Sequence, residues 1–224
     1  AEGNAGGVSI ITGSLQVING ALLSASNFGG KGNAGSVSIT ARDTIKFDGK
    51  GKGQDGYYSG AYSQVRPGAK GNAGGVSITT GSLAVTNGAQ VSASTLGKGD
   101  AGSVNISARD TIKFDGEAND GSYSAAYSEV ISGAEGKAGG VSITTGSLEV
   151  TNGALLSAST FGKGDAGSVT ISARDTIKFD AEANKDSSET GAYSRVYSRA
   201  EGNAGGVSII TGSLQVINGA LLSA

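Results

Sequence analysis

The run Gly71-Asn-Ala-Gly-Gly-Val-Ser-Ile-Thr-Thr-Gly-Ser-Leu-Ala-Val-Thr-Asn-Gly-Ala-Gln-Val-Ser-Ala-Ser94 decides how this chain folds. Its apolar residues alternate, Val76 with Ile78 and Leu83 with Val85, and polar or small residues stand between them. Period two is the pattern of a strand with one face buried. The Val-x-Ile choice suits a pleated, half-buried surface. Gly-rich and Asn-Gly breaks end each stretch, and Asn-Gly tolerates the left-handed backbone of a tight turn. Helices are not supported.

Outward from this run the text repeats. The same block opens at Gly3, Gly71, Gly136 and Gly202, and Ala1–Ala25 recurs without change as Ala200–Ala224. Between these blocks a second half starts at Gly32, Gly99 and Gly164 and carries Arg-Asp-Thr-Ile-Lys-Phe-Asp. Six units and the opening of a seventh result. All seven share Val-x-Ile, from Val8 and Ile10 to Val207 and Ile209. A second stretch alternates as Leu15 and Val17 or as Ile45 and Phe47, and a third as Ala21, Leu23, Ala25 or as Ala61, Ser63, Val65. Equal side chains at equal phase favour parallel stacking, like on like. The expected fold is an all-β parallel β-helix, a β-solenoid with three short strands per rung and about seven rungs. Six steps of about 4.8 Å advance its axis by roughly 29 Å. Stability is then expected as a sum of nearest-neighbour terms. Residues 1–224 read as a single segment of a longer array, with long-period repeats 3–70, 71–135 and 136–201 and a partial repeat 202–224, because the text opens and stops inside the repeat.

Composition narrows the function. The 224 residues include 40 glycines and one proline, no Cys, His, Met or Trp, and a net charge of −2. Without His or Cys there is no Ser-His-Asp or Cys-His nucleophile, no thiolate or imidazole metal site and no disulfide. A mildly acidic balance without a basic cluster argues against nucleic acid as partner. No apolar run approaches the roughly 20 residues that span a bilayer, so membrane insertion is not expected.

Several residue groups invite a chemical role. Arg42 to Asp48, Arg109 to Asp115 and Arg174 to Asp180 bring acid and base together, yet an active site is one constellation and this motif is copied three times. Its expected role is structural, with Ile and Phe inward, Thr, Lys and Asp outward, and Lys113 meeting carboxylates on neighbouring rungs. Loops after the motif hold Asp55, then Glu117 and Asp120, then Glu182, Asp186 and Glu189. Clustered carboxylates suit calcium, but the spacing differs in each copy, and a solvated loop is the simpler reading. Tyr62, Tyr127 and Tyr193 share an Ala-Tyr-Ser-x-Val position, and Tyr58, Tyr123 and Tyr197 lie close by. They are expected as an outward row about 10 Å apart, offering lateral or glycan contact; covering the base of their own loops is the structural alternative. Asn4, Asn33, Asn72 and Asn203 are expected as a corner ladder, and Phe28, Leu96 and Phe161 as plugs of the core. The outward row from Ser9 to Ser208 raises ice binding as a rival, weakened by Ser standing where such surfaces favour Thr.

The phrases Gly71 to Ser94 and Ala108-Arg-Asp-Thr-Ile-Lys-Phe-Asp-Gly116 resemble the repeat region of filamentous-haemagglutinin-like large exoproteins, in the cyanobacterial form often labelled S-layer-like. The resemblance covers essentially the whole chain. It implies a right-handed β-helix, export by two-partner secretion, and an extracellular or outer cell-surface location. It carries over no catalytic residues, and no cofactor or metal is assigned. The expected role is a non-catalytic segment of a secreted fibre, surface layer or adhesin shaft. Its partners are further copies end to end, with neighbouring fibres or surface glycans beside them. A glycan-binding adhesion module on the tyrosine row and a β-helix polysaccharide-degrading enzyme are the alternatives.

Overall fold

The structure, a computed structural model, describes residues 2–53, 56–116, 118, 121–181 and 190–224. The first unit holds β1 (Val8–Ile18) and β2 (Leu22–Ser24), and the second β3 (Val37–Asp48) and β4 (Gly60–Tyr62). The third and fourth units are cut into β5 (Val76–Thr80), β6 (Ser82–Thr86), β7 (Gln90–Ser92), β8 (Val104–Ala108), β9 (Thr111–Asp115) and β10 (Ala125–Tyr127). β11 (Val141–Thr145), β12 (Ser147–Thr151) and β13 (Leu155–Ser157) follow. The chain ends with β14 (Val169–Asp180), β15 (Gly191–Tyr193), β16 (Val207–Ile217) and β17 (Leu221–Ser223).

Pairing between these named strands is parallel throughout, and its register sets like on like: Val76 faces Val104, Ile78 faces Ile106, and Phe114 faces Val150. Two routes lead from β3 to β14, one through β5, β8 and β11, the other through β6, β9 and β12. Together they close a circuit of eight parallel strands, barrel-like in connectivity, with β1 and β16 paired outside it. The short strands form a second parallel sheet, ordered β17-β15-β13-β10-β7-β4-β2.

This closed circuit corrects the right-handed parallel β-helix, or solenoid, of three short strands per rung. The physical reason lies at the corner between the first two stretches. There Ala41 and Thr44 are separated by Arg42 and Asp43, whereas Thr12 and Ser14 are separated by Gly13 alone, so the register shifts by one residue. The extra residue is a β-bulge, which bends a strand without ending it. β1, β3, β14 and β16 run unbroken through the corner, while the three middle units, the one with Arg109-Asp110 included, are cut there into separate strands, so β3 and β14 each pair with strands of both routes and close the circuit. The picture of a repeat protein built from interchangeable rungs falls with it, because long-strand and broken-strand units differ.

One core serves both sheets. Val76, Ile78, Leu83, Val85, Val104, Ile106, Ile112 and Phe114 meet Val91, Ala93, Ala126 and Leu156 in a single buried cluster. Each Val, Leu or Ile so buried contributes about 1.5–3 kcal/mol before chain entropy is subtracted. Buried hydroxyls complete the interior. Ser128 Oγ donates to the Gly102 carbonyl at 2.7 Å and accepts from the Gly139 and Gly140 amides at 2.9 and 3.0 Å. Ser63 and Ser194 do the same two units before and after it. At the neighbouring corner Asn4 Oδ1 accepts from the Asn33 amide, Asn33 Oδ1 from that of Asn72, and Asn72 Oδ1 from that of Asp100. The expected Asn ladder thus runs from side chain to backbone.

Candidate functional site

The tyrosines expected as an outward row divide. Tyr62, Tyr127 and Tyr193 do share one column, each paired with a serine of the intervening units. Tyr62 and Tyr193, however, are only 1 and 2 % exposed. Tyr62 donates to the Tyr58 carbonyl at 2.9 Å and meets Tyr57 edge-on at 5.7 Å. Its burial pushes the phenol well above its ordinary range. Arg195 covers the Tyr193 ring at 4.2 Å. Tyr58 is buried as well, and Tyr123, Tyr127 and Tyr197 are half-buried. The outward placement of Tyr62 and Tyr193 is therefore corrected, since loop residues cover the outer face of β4 and an arginine lies over the Tyr193 ring.

The Arg-Asp motif satisfies itself. Arg42, Arg109 and Arg174 each pair with the next residue, Asp43, Asp110 and Asp175, at 3.0, 2.8 and 2.8 Å. Lys113 reaches Asp115 on its own strand at 3.1 Å rather than a carboxylate of a neighbouring unit. Asp115 also accepts from Thr151 and Asn152 at 2.6 and 2.8 Å. Burial alone would raise its pKa, but the bonds from Thr151, Lys113 and Asn152 hold it below the ordinary carboxylate value. Asp48 and Asp180 likewise accept from Asn87 and Asn218. The carboxylates considered for calcium, Asp55, Glu117, Asp120, Glu182, Asp186 and Glu189, lie outside the described residues. Among the described residues no group of three acidic side chains is placed to hold a metal.

A different edge gathers exposed chemistry. Single parallel bridges line up Asn27, Val65, Thr95, Val130, Thr160 and Val196, and a second line joins Glu2, Lys31, Lys70, Lys98, Glu135, Lys163 and Glu201. The turn between the two lines alternates in length. Three residues separate Asn27 from Lys31 in the first turn; after it two separate Thr95 from Lys98 and Thr160 from Lys163, whereas four separate Val65 from Lys70, Val130 from Glu135 and Val196 from Glu201. Long turns protrude and short turns sit recessed between them. Gly162 marks the recess: a Cβ there would lie 2.4 Å from the Ala134 carbonyl oxygen and 2.7 Å from that of Ile131.

Phe28, Leu96 and Phe161 open these turns, and they are not core plugs. Phe28 is 73 % exposed, and the other two are half-buried. Arg66 lies over Phe28 at 4.9 Å, and Phe161 stacks on Tyr197 at 4.1 Å with ring planes 13° apart. Between the long turns at 131–134 and 197–200, with Phe161, Gly162 and Lys163 among its lining, is an open cleft of about 460 Å³. Glu135, Ser132, Ser198 and Arg199 complete its wall. Glu135 is bonded by Lys98 at 3.0 Å, which holds its carboxyl below the ordinary range. Lys163 approaches Glu201 at 3.5 Å, with both side chains mostly exposed.

The long turns reveal one irregularity. Each closes by an amide-to-carbonyl bond across four residues, Ala69 to Arg66, Ala134 to Ile131 and Ala200 to Tyr197. Their third residue has positive φ, as the corresponding position of a type II turn does, and is Gly68 or Gly133 in two of them. In the third it is Arg199, at φ 71°. A side chain in left-handed backbone costs about 1–2 kcal/mol. The signal for this edge was present in the sequence, in the turn lengths and in Arg199 standing where Gly68 and Gly133 stand. Apolar character alone assigns Phe28 and Phe161 to the core, and that hides the edge.

No family model, no curated protein and no solved structure matches this chain. The resemblance to filamentous-haemagglutinin-like repeats therefore rests on the quoted phrases alone.

Proposed function

We propose that this chain is a structural, non-catalytic segment of a secreted fibre or stalk at the outer cell surface. One observation carries the reading: unit after unit pairs with the next through parallel ladders in which like residues face each other. Such ladders place many backbone bonds side by side along one direction, so load along the chain is shared among them. The titratable groups fit a scaffold rather than a reacting centre. The three Arg-Asp motifs are closed ion pairs, and Asp48, Asp115 and Asp180 bind the Asn-Gly turns of the following units. The resemblance to large exoproteins supports the cell-surface location and further copies end to end as partners.

Immunogold electron microscopy with antibodies against this chain tests the reading. Label distributed along filaments on the outer cell surface is expected. Label confined to the cell interior, or to smooth globular particles, contradicts it.

A further inference from the structure

The geometry points to the cleft between the turns at 131–134 and 197–200 as a binding site for an acidic saccharide, a uronic-acid unit of a polysaccharide chain. Its volume of about 460 Å³ is that of a small-ligand site, whose usual range is about 300–1,000 Å³. Its wall combines what such a unit presents. The stacked rings of Phe161 and Tyr197 offer an apolar surface to the carbon face of a sugar. Ser132, Ser198 and Glu135 supply hydroxyl and carboxylate partners for sugar hydroxyls. Lys163 and Arg199 supply positive charge for the carboxylate.

Arg199 is the decisive residue. Its equivalents Gly68 and Gly133 occupy the same left-handed backbone without strain, so glycine is what the turn itself requires. Arginine stands there against that preference, on the cleft wall, and has no ion-pair partner among the described residues. A strained position at a cleft is where function is retained at the expense of local stability. Lys163 and Glu135 also carry partners, but these are exposed surface pairs that a ligand can displace at little cost. With no ion-pair partner for Arg199 among the described residues, the group of Lys98, Glu135, Lys163, Glu201 and Arg199 carries one positive charge in excess, which selects an acidic rather than a neutral sugar.

Titration calorimetry and amide NMR on the full chain, with an oligogalacturonate as probe, test the assignment. Saturable binding is expected, with chemical-shift changes centred on Ser132, Phe161 and Tyr197, and a neutral cello-oligosaccharide at the same concentration should leave them unmoved. Arg199→Gly restores the turn residue of the sister units, so it is expected to melt no lower than the parent while binding about tenfold more weakly, the scale of one charge-assisted contact. Tyr197→Ala is expected to weaken binding as well. Absence of saturable binding, undiminished binding by Arg199→Gly, or equal binding of inorganic polyphosphate would each overturn the assignment.

Discussion

Glu129 follows Ser128 in the second sheet's flanking segment and is buried, accepting a hydrogen bond from Ser157 Oγ. Its equivalents are Gln64, which donates to Ser92, and Arg195, which donates to Ser223. Burial pushes the Glu129 carboxyl up to about 7 from an ordinary 4.5, while the Ser157 hydroxyl pulls the other way. Below pH 4.5 the group is neutral whether the chain is folded or not. Between about 4.5 and 7 the unfolded chain releases its proton while the fold retains it, so this residue's contribution falls as pH rises and levels off above 7. Glu129→Gln, the residue already present at position 64, removes that dependence. Urea denaturation should find the variant more stable than the parent by on the order of 3 kcal/mol at pH 8 and nearly equal at pH 4. A difference that is the same at both values contradicts the burial of a raised acid. No residue-level pattern announced Glu129, since Gln, Glu and Arg share no chemistry except hydrogen bonding. Tyr62 misled for a related reason: alternation along Ala61-Tyr62-Ser63 assigns the tyrosine outward, but an outer face covered by a loop is buried too.

At the scale of the strand, the corner between the first two stretches sets the architecture. Gly146 lies beside the Arg-Asp bulge of the preceding unit, and a Cβ on it would fall 2.4 Å from the Asp110 carbonyl oxygen. Gly13 occupies the equivalent place in the first unit, where a Cβ would meet only Arg42 Nη2 at 3.6 Å and Asp43 Oδ2 at 3.9 Å. Gly146→Ala is therefore expected to cost about 2–3 kcal/mol and Gly13→Ala less than about 0.5 kcal/mol. Thermal melts of the two variants check this, and equal losses contradict the bulge as the reason for glycine. The strands themselves were legible: every Val-x-Ile pair starts a β-strand with its apolar residues toward the core. What was not legible is where a strand breaks. Thr79-Thr80-Gly81-Ser82 and Ile11-Thr12-Gly13-Ser14 are near copies, yet the first is interrupted and the second continuous. Both stretches lie beside the Arg-Asp corner of β3, so neither local preference nor that neighbour separates them; they differ in that β1 pairs on one side and β5 and β6 on two.

Over the whole molecule, the alternation of long and short turns, the two bridge lines beside them and the in-register ladders all follow from units stacked with like residues facing. That facing is legible in the repeated text itself. The closed eight-strand circuit was not legible, because it arises from two long strands that each pair with members of both routes. The facing of like residues also underlies the proposed load-bearing role. Since the chain has no cysteine, pairs of introduced thiols report on it without interference. Ser77 and Asn105 are register partners with both side chains exposed, whereas Ser107 lies two residues further along. Register partners about 4.8 Å apart fall inside the Cα range a disulfide spans, about 4.4–6.8 Å, and the offset pair falls outside it. Under mild oxidation, the Ser77→Cys, Asn105→Cys chain should form its disulfide with the fold retained, and the Ser77→Cys, Ser107→Cys chain should stay reduced. Cross-linking of the offset pair with the register pair left as thiols would contradict the facing of like residues on which the account stands.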